Sequence, residues 1–414
     1  MYKIKIDRAS IQNFFLYFYF FSIYFENFNP TGYFSISKLA GVIYIMSAFL
    51  SIKVFSSLNR QQLYFYWPII LFFIYLTLIS LFNMNDYSNR FIDMAFIQNI
   101  LIFMILINHV RKDSLVLEKG MFALAIGAIS VAFLLLLGVG ANEATTESVG
   151  GEVMIRRTFF NAGPNELALK LSAGLVVVVS IIYENTLAIR KLTKLILIFS
   201  IPLLILGILG TASRTAFLIL PACGIAWLGY KLLASDKKFY ALLLGLFTFL
   251  IVFIPLVYLA LMLDEFRFLA ERLANTGGIS DNSETGRITL WIGFFTLIFE
   301  NLFFGNGYSG FDLITYEFFG FIESPHNVLL ETILYTGMIG FFLYILFLGR
   351  IFSASYKLFK YKNRILPTII IPIALAFIMI LQGLNEKVCW IILAYIIGTY
   401  MNSFNKFNTL KIKK

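Results

Sequence analysis

The sequence predicts an all-α polytopic membrane protein that crosses the bilayer about twelve times. Three observations carry that prediction. First, 59% of the 414 residues are hydrophobic and only 14% are charged, with mean hydropathy +0.83; a soluble domain averages about 25% charged residues. Second, crossing a hydrocarbon core of about 30 Å takes roughly 20 apolar residues. Runs of that kind lie at about 11–27, 37–54, 63–83, 91–108, 119–140, 163–183, 195–210, 215–232, 239–262, 327–349, 365–383 and 388–403. Third, the basic residues are distributed unevenly between alternate connections, as the positive-inside rule requires.

With both termini placed in the cytoplasm, the inside segments hold 22 Lys and Arg residues and the outside segments 8. The inside set includes Arg190, Lys191 and Lys194 after the sixth run, and Arg350 to Arg364 after the tenth. No small-residue cleavage site follows the first run, so it is expected to be a retained helix and not a signal peptide. The net charge of +10 is then explained by topology and by anionic lipid. It calls for no nucleic acid.

Several function classes find no support. Cys223 and Cys389 are scattered through predicted helices and read as small packing residues. The two histidines, His109 and His326, are far apart, so no metal-ligand spacing is present. The chain has no Walker motif and no paired-carboxylate Asp-x-Asp, and neither a metal nor a cofactor is expected. No internal repeat is evident, so residues 1–414 read as one integral membrane domain.

Two outside connections are long. Residues 141–162 form one. The other, 263–325, lies between the ninth and tenth spans. Within it, residues 287–304 are apolar but bracketed by polar turns, and read as a single amphipathic or re-entrant helix at the interface. The stretch GNGYSG (305–310) fits G-x-G-x-x-G, but lacks the soluble βαβ setting a dinucleotide site needs. It reads as a glycine-rich hinge.

The unusual charges gather on the outside face. Glu166 and Lys170 are i,i+4 neighbours in the favourable order, beside Asn165 at the start of the sixth span. Lys170 falls about two turns into the membrane, where an ionisable group is either functional or paired. Arg214, in GTASRTA (210–216), is the lone charge of its hairpin. It is either a headgroup anchor or an anion ligand, since guanidinium offers a rigid fork to phosphate. Arg287 opens the interfacial helix, where a cation is disfavoured by the helix dipole; Arg156 and Arg157 have weaker claims. His109, at a cytoplasmic helix end, reads as structural or exposed.

The stretch ESPHNVLLETILYTGMIG (323–340) places polar residues at the mouth of the tenth span. Ser324 is expected to cap the helix with Pro325 in its first position, putting His326 in the first turn. There the dipole would favour a neutral imidazole, suited to a general base or a hydrogen-bond orienter. Asn327 follows, and Glu331 lies one turn further on.

These segments resemble the O-antigen polymerase/O-antigen ligase superfamily of lipid-linked glycan transferases. FFNAGPNELA is similar to the family's Asn-Pro-Asn-type segment and GTASRTA to its Thr-x-[Ser/Thr]-Arg turn. His326 and Asn327, nine residues, then Gly337 and Gly340 fit its long-loop signature, with Phe341 where ligases usually carry Thr, Val or Tyr. The resemblance spans about residues 155–345. It implies a metal-independent, C-type-like membrane glycosyltransferase in the bacterial inner membrane, with its site on the periplasmic face. The implied partners are undecaprenyl-pyrophosphate-linked glycans, with a possible chain-length regulator. By carry-over, Arg214 and Arg287 would hold the pyrophosphate and His326 would activate or orient the acceptor hydroxyl. Arg156, Arg157, Asn165, Lys170, Asn327 and Glu331 complete the expected substrate-binding set. The expected activity is polymerisation of repeat units. Ligation to the lipid A core is the second reading, and a transporter or flippase a remote third, because such folds usually show repeats and a midplane site.

Overall fold

The computed structural model describes residues 8–29, 34–49, 60–84, 94–110, 114–147, 153–184, 186–234, 239, 243, 287–322, 324–381 and 384–411. The expected ninth span, 239–262, and the loop from 263 to 286 lie outside the described residues apart from 239 and 243.

The helices are α1 (Arg8–Ser22), α2 (Ile36–Phe49), α3 (Arg60–Phe82), α4 (Met94–Val110), α5 (Ser114–Leu136), α6 (Pro164–Glu184), α7 (Lys191–Gly210) and α8 (Arg214–Ala234). After the gap come α9 (Arg287–Glu300), α10 (Gly307–Phe319), α11 (Val328–Lys362), the short α12 (Leu366–Ile369), α13 (Ile371–Ile380) and α14 (Lys387–Lys411). Among the described residues, six helices are long and apolar enough to cross a membrane, with five shorter apolar helices beside them. The chain is therefore a mostly helical polytopic membrane protein, as its composition predicts.

Contacts between distant residues sort the helix ends into two faces. Tyr24 Oη donates to Lys170 O at 2.8 Å and Asn99 Nδ2 to Asn385 O at 3.0 Å, which places the ends of α1, α4, α6 and α14 together. At the opposite face Arg364 bonds Glu118 at 2.6 Å and Glu184 at 2.8 Å. The Glu184 carboxylate also accepts from the Ile365 and Leu366 amides at 2.5 and 2.6 Å, capping α12. His109 lies on this second face, buried, with Tyr44 Oη at 3.1 Å and Asn13 Oδ1 at 2.7 Å. It is structural, not exposed. Lipid supplies no hydrophobic force between helices, so close packing of small residues does that work. Gly174 of α6 illustrates it: a Cβ there would overlap the Cβ of Ala128 in α5.

Residues 141–162 are not a plain loop. They hold an antiparallel hairpin, β1 (Ala141–Glu147) and β2 (Val153–Phe159), in register Ala141↔Phe159 to Glu147↔Val153. Its base is fixed by aromatic contacts, Phe25 with Phe159 at 5.8 Å and Phe28 with Phe160 at 4.7 Å between ring centroids.

The segment expected to hold one interfacial helix contains two, α9 and α10, joined by a turn at 301–306. At one end of α9, Trp291 Nε1 donates to Pro325 O at 2.9 Å, just above the start of α11. At its other end Met338 N donates to Leu302 O at 2.9 Å, and Asn306 N to Leu334 O at 2.9 Å. So α9 runs alongside the first ten residues of α11, which at 1.5 Å per residue is about 15 Å. The next helix, α10, packs on α3 and α11, and its Tyr308 N donates to Ser80 Oγ at 2.7 Å. Together α9 and α10 form a helical hairpin laid against α3 and α11.

The hairpin explains a break in α11. Gly337 has φ +59 and ψ −163 inside that helix, a backbone state open to glycine and hardly to any other residue. The amide of Met338 and the carbonyl of Leu334 are satisfied by the 301–306 turn. Non-helical backbone at membrane depth requires such burial in protein. GNGYSG is thus a tightly packed turn and not a flexible hinge: Gly305 and Gly307 have φ +75 and +68, and a Cβ on Gly307 would lie 2.6 Å from Ser80 Cα.

Candidate active site

The His326 turn is held by three side chains. Helix α11 begins at Val328, and its cap is Asn327, whose Oδ1 accepts from Leu329 N at 2.9 Å and Leu330 N at 3.3 Å. Ser324 is therefore not the cap, and His326 lies just outside the helix and not in its first turn. Asn is as good a cap as Ser, and the chain reaches it through a left-handed step, since His326 has φ +49. Ser324 has another task. Its Oγ donates to the buried Glu331 Oε1 at 2.6 Å and accepts from His326 N at 3.2 Å. Trp291 holds the Pro325 carbonyl from the side. A non-glycine residue in this conformation persists only where its surroundings over-determine it, and such residues cluster at functional sites.

Arg287 is the first residue of α9; its side chain lies outside the described residues. The backbone sets it one helical turn before Trp291, on the same helix face. Through Trp291 that face meets the His326 turn.

Arg214 is the first residue of α8 and is half-buried. The turn before it carries a second strained residue, Ala212, at φ +48. Thr211 Oγ1 donates back to Ile208 O at 2.7 Å, and Ser213 Oγ to Asn165 Oδ1 at 2.9 Å. Asn165, in the first turn of α6, thus braces the arginine turn. Arg157, exposed on β2, lies along the end of α7: a Cβ on Gly210 would be 3.5 Å from its Cδ. Arg156 is its neighbour in β2 opposite Ala144; its side chain is outside the described residues.

Lys170 sits 3% exposed within a cluster that the sequence pointed to only through Glu166. Its Nζ bonds Glu166, and Glu26 at 3.0 Å, with Glu386 at 3.9 Å. Lys387 bonds Glu26 and donates to Ser37 Oγ at 3.1 Å. The carboxylates of Glu26, Glu166 and Glu386 approach within 4.8 Å of one another, and the two ammonium groups among them supply balancing charge. Glu386 lies between α13 and α14. Burial pushes its carboxyl up to about 8, with Glu166 and Glu26 adding to the rise against Lys170 and Lys387. Glu26, Glu386 and Lys387 were visible as charges at span ends, the signal that marks paired or functional groups.

Thus Asn165, Arg157 and Arg214 converge on one turn. Glu331, Asn327 and His326 converge on another, with the Arg287 helix beside it. Lys170 belongs instead to the Glu26–Glu166–Glu386 cluster, which joins α6 to the segment after α1 and the segment before α14, with Lys387 extending it to Ser37 of α2. Both turns belong to the same face of the bundle, and both fall inside one stretch of recognisable sequence. Residues 197–345 match the Wzy_C family model, described as O-antigen ligase. Over that stretch the chain is similar to the O-antigen ligase family. The matched stretch runs from within α7 to within α11 and contains Arg214, Arg287, Trp291, His326, Asn327 and Glu331. Arg156, Arg157, Asn165 and Lys170 precede it. A search of curated proteins found no match. The match supports a role in glycan transfer in O-antigen or related polysaccharide synthesis.

Proposed function

We propose that the protein polymerises glycan repeat units carried on undecaprenyl pyrophosphate, at the periplasmic face of the bacterial inner membrane. The observation that carries this reading is the strained, fully braced His326 turn, set beside the helix that begins with Arg287 inside the matched stretch. Transfer from a lipid diphosphate breaks a bond at an anomeric carbon and expels a pyrophosphate whose charge grows in the transition state. Fixed cations aimed at that charge lower the barrier. Arg214 and Arg287 serve this role, each at a helix N-terminus where backbone amides also favour an anion. The acceptor hydroxyl is a poor nucleophile. His326 accepts its proton or its hydrogen bond. In this reading the arginines supply the positive charge that a metal supplies elsewhere. A chain-length regulator is a further expected partner.

Ligation to lipid A core is the second reading, favoured by the description of the family model itself. The Gly-Pro-Asn segment and Phe341 favour polymerase. The test uses a strain lacking the gene, complemented with His326→Ala and His326→Gln. Alanine is expected to lose activity by about 10²–10⁴-fold if His326 is a general base. Glutamine accepts a hydrogen bond but takes no proton at neutral pH, so substantial turnover there restricts His326 to orientation. Full activity of the alanine variant at equal membrane abundance sinks the assignment. In the uncomplemented strain, core plus one repeat unit identifies a polymerase, and bare core a ligase.

A further inference from the structure

We propose that Trp291 is a positioning residue that locks the anion-holding helix to the acceptor-activating turn, so that Arg287 and His326 move as one unit. The inference rests on the functional reading above and adds Trp291, a residue to which that reading gives no role.

Three observations carry it. The indole Nε1–H donates to the Pro325 carbonyl at 2.9 Å, and that carbonyl belongs to the peptide unit that enters His326. The bond therefore acts on the backbone of a residue held at φ +49. Second, α9 is pinned at its far end too, by Met338 N to Leu302 O at 2.9 Å across the Gly337 break. A helix fixed at both ends against α11 cannot slide along it. Third, Trp291 follows Arg287 by four residues, one turn on the same face, so the fixed register of α9 also fixes where that turn begins. The Ser324 hydroxyl provides the complementary brace, bridging the Glu331 carboxyl at 2.6 Å and the His326 amide at 3.2 Å.

The chemistry needs this. A displaced diphosphate and an attacking hydroxyl must line up on opposite sides of one anomeric carbon. A misplacement of about 1 Å from a change remote from the reacting atoms can cost about 10²-fold. Trp291 touches neither substrate in this scheme. It acts through Pro325, and its loss appears in turnover and not in donor binding.

The experiment uses the full chain in native-host membrane vesicles that lack the wild-type gene product. The substrate is that host's own lipid-linked repeat unit, extracted with its carrier, and rates are normalised to protein in the membrane. Trp291→Phe keeps an aromatic ring and removes the N–H donor. It is expected to lower kcat about 10–100-fold with KM changed by less than about 2-fold. Trp291→His, whose Nε2–H lies at a similar reach from Cβ, is expected to restore most of the turnover. Wild-type kcat in Trp291→Phe, with His326→Ala inactive, overturns the positioning role and leaves the functional reading standing. Full activity in both variants overturns the functional reading itself. If Trp291→Phe fails to accumulate, Ser324→Ala decides. The same loss confined to kcat supports the locked unit, and unchanged kcat overturns it.

Discussion

Gly305 and Gly337 meet backbone to backbone where α11 breaks. The tip of the α9–α10 hairpin enters the gap, and a Cβ on Gly305 would lie 2.5 Å from Thr336 N. A Cβ on Gly337 would overlap the Phe303 carbonyl. The contact fixes the depth of the hairpin, and with it the height of the helix that begins with Arg287. Everything near the mouth of α11 inherits that register.

Gly337→Ala is expected to destabilise strongly, because strain at φ +59 adds to the overlap. Strain of this kind costs about 1–3 kcal/mol before any clash. Gly349→Ala is the control, since an added Cβ there meets nothing within 4 Å; removing a helix-interior glycine stabilises by up to about 1 kcal/mol. Thermal unfolding in detergent checks both. Equal melting temperatures for the two variants would show that the backbone crossing carries no stability.

The strain at His326 separates from its chemistry. His326→Gly relieves the left-handed backbone at φ +49 and removes the imidazole. It is expected to be as inactive as His326→Ala yet more stable, by about 1 kcal/mol. Melting curves and turnover measured on both variants check this. An alanine variant as stable as the glycine one would mean that the turn relaxes when the ring is removed.

Glu386 predicts a pH dependence. Its ordinary carboxylate range is near 4.3, and burial pushes it up to about 8 in the folded protein. The folded state therefore holds a proton that the unfolded chain releases. The stability this group contributes is fully present below about 4.5 and is lost as pH rises through about 8. Lys170, Lys387, Glu26 and Glu166 face it. Glu386→Gln is expected to flatten the fall in melting temperature between pH 6 and pH 9. A wild-type curve with no fall across that window counts against a protonated Glu386.

The long spans were legible in the sequence because a run of apolar residues matched to bilayer thickness has few other uses. The break at Gly337 was not, because the groups that satisfy it come from residues 302 and 306, more than thirty positions away. A local pattern cannot show that a helix is interrupted when its partner is remote. The hairpin at 141–159 was partly legible: Thr145, Thr146, Val153 and Ile155 are strand formers around Gly150 and Gly151, but a membrane setting drew attention to helices. Placing the cap at Ser324 followed from proline's fitness for the first helical position; the left-handed step at His326 moved the start to Val328. The Arg214 turn and the Asn165 segment were each visible as motifs. Their bond through Ser213 was visible only once folded.

That bond leads to the prediction for the arginines. Arg214 and Arg287 both start helices, where a cation is disfavoured by the dipole and an anion is welcome. An arginine kept at such a position has its cost offset when a phosphate binds there. Replacement of either by alanine is expected to reduce glycan transfer by about 10²-fold or more, as loss of a preorganised donor does. Lysine keeps the charge but lacks the planar fork, so it is expected to rescue only in part. Asn165→Ala acts one step further out. It removes the acceptor for Ser213 Oγ and loosens the turn, so a smaller loss is expected, of about 10-fold. Arg157→Ala, at an exposed edge, is expected to raise the KM for donor with little change in kcat. Transfer assays on the four variants, normalised to membrane abundance, test the order. If Arg157→Ala proves as damaging as Arg214→Ala, the diphosphate lies nearer the hairpin than the turn before α8. Normal transfer in both the Arg214 and Arg287 alanine variants would remove the diphosphate from this face altogether.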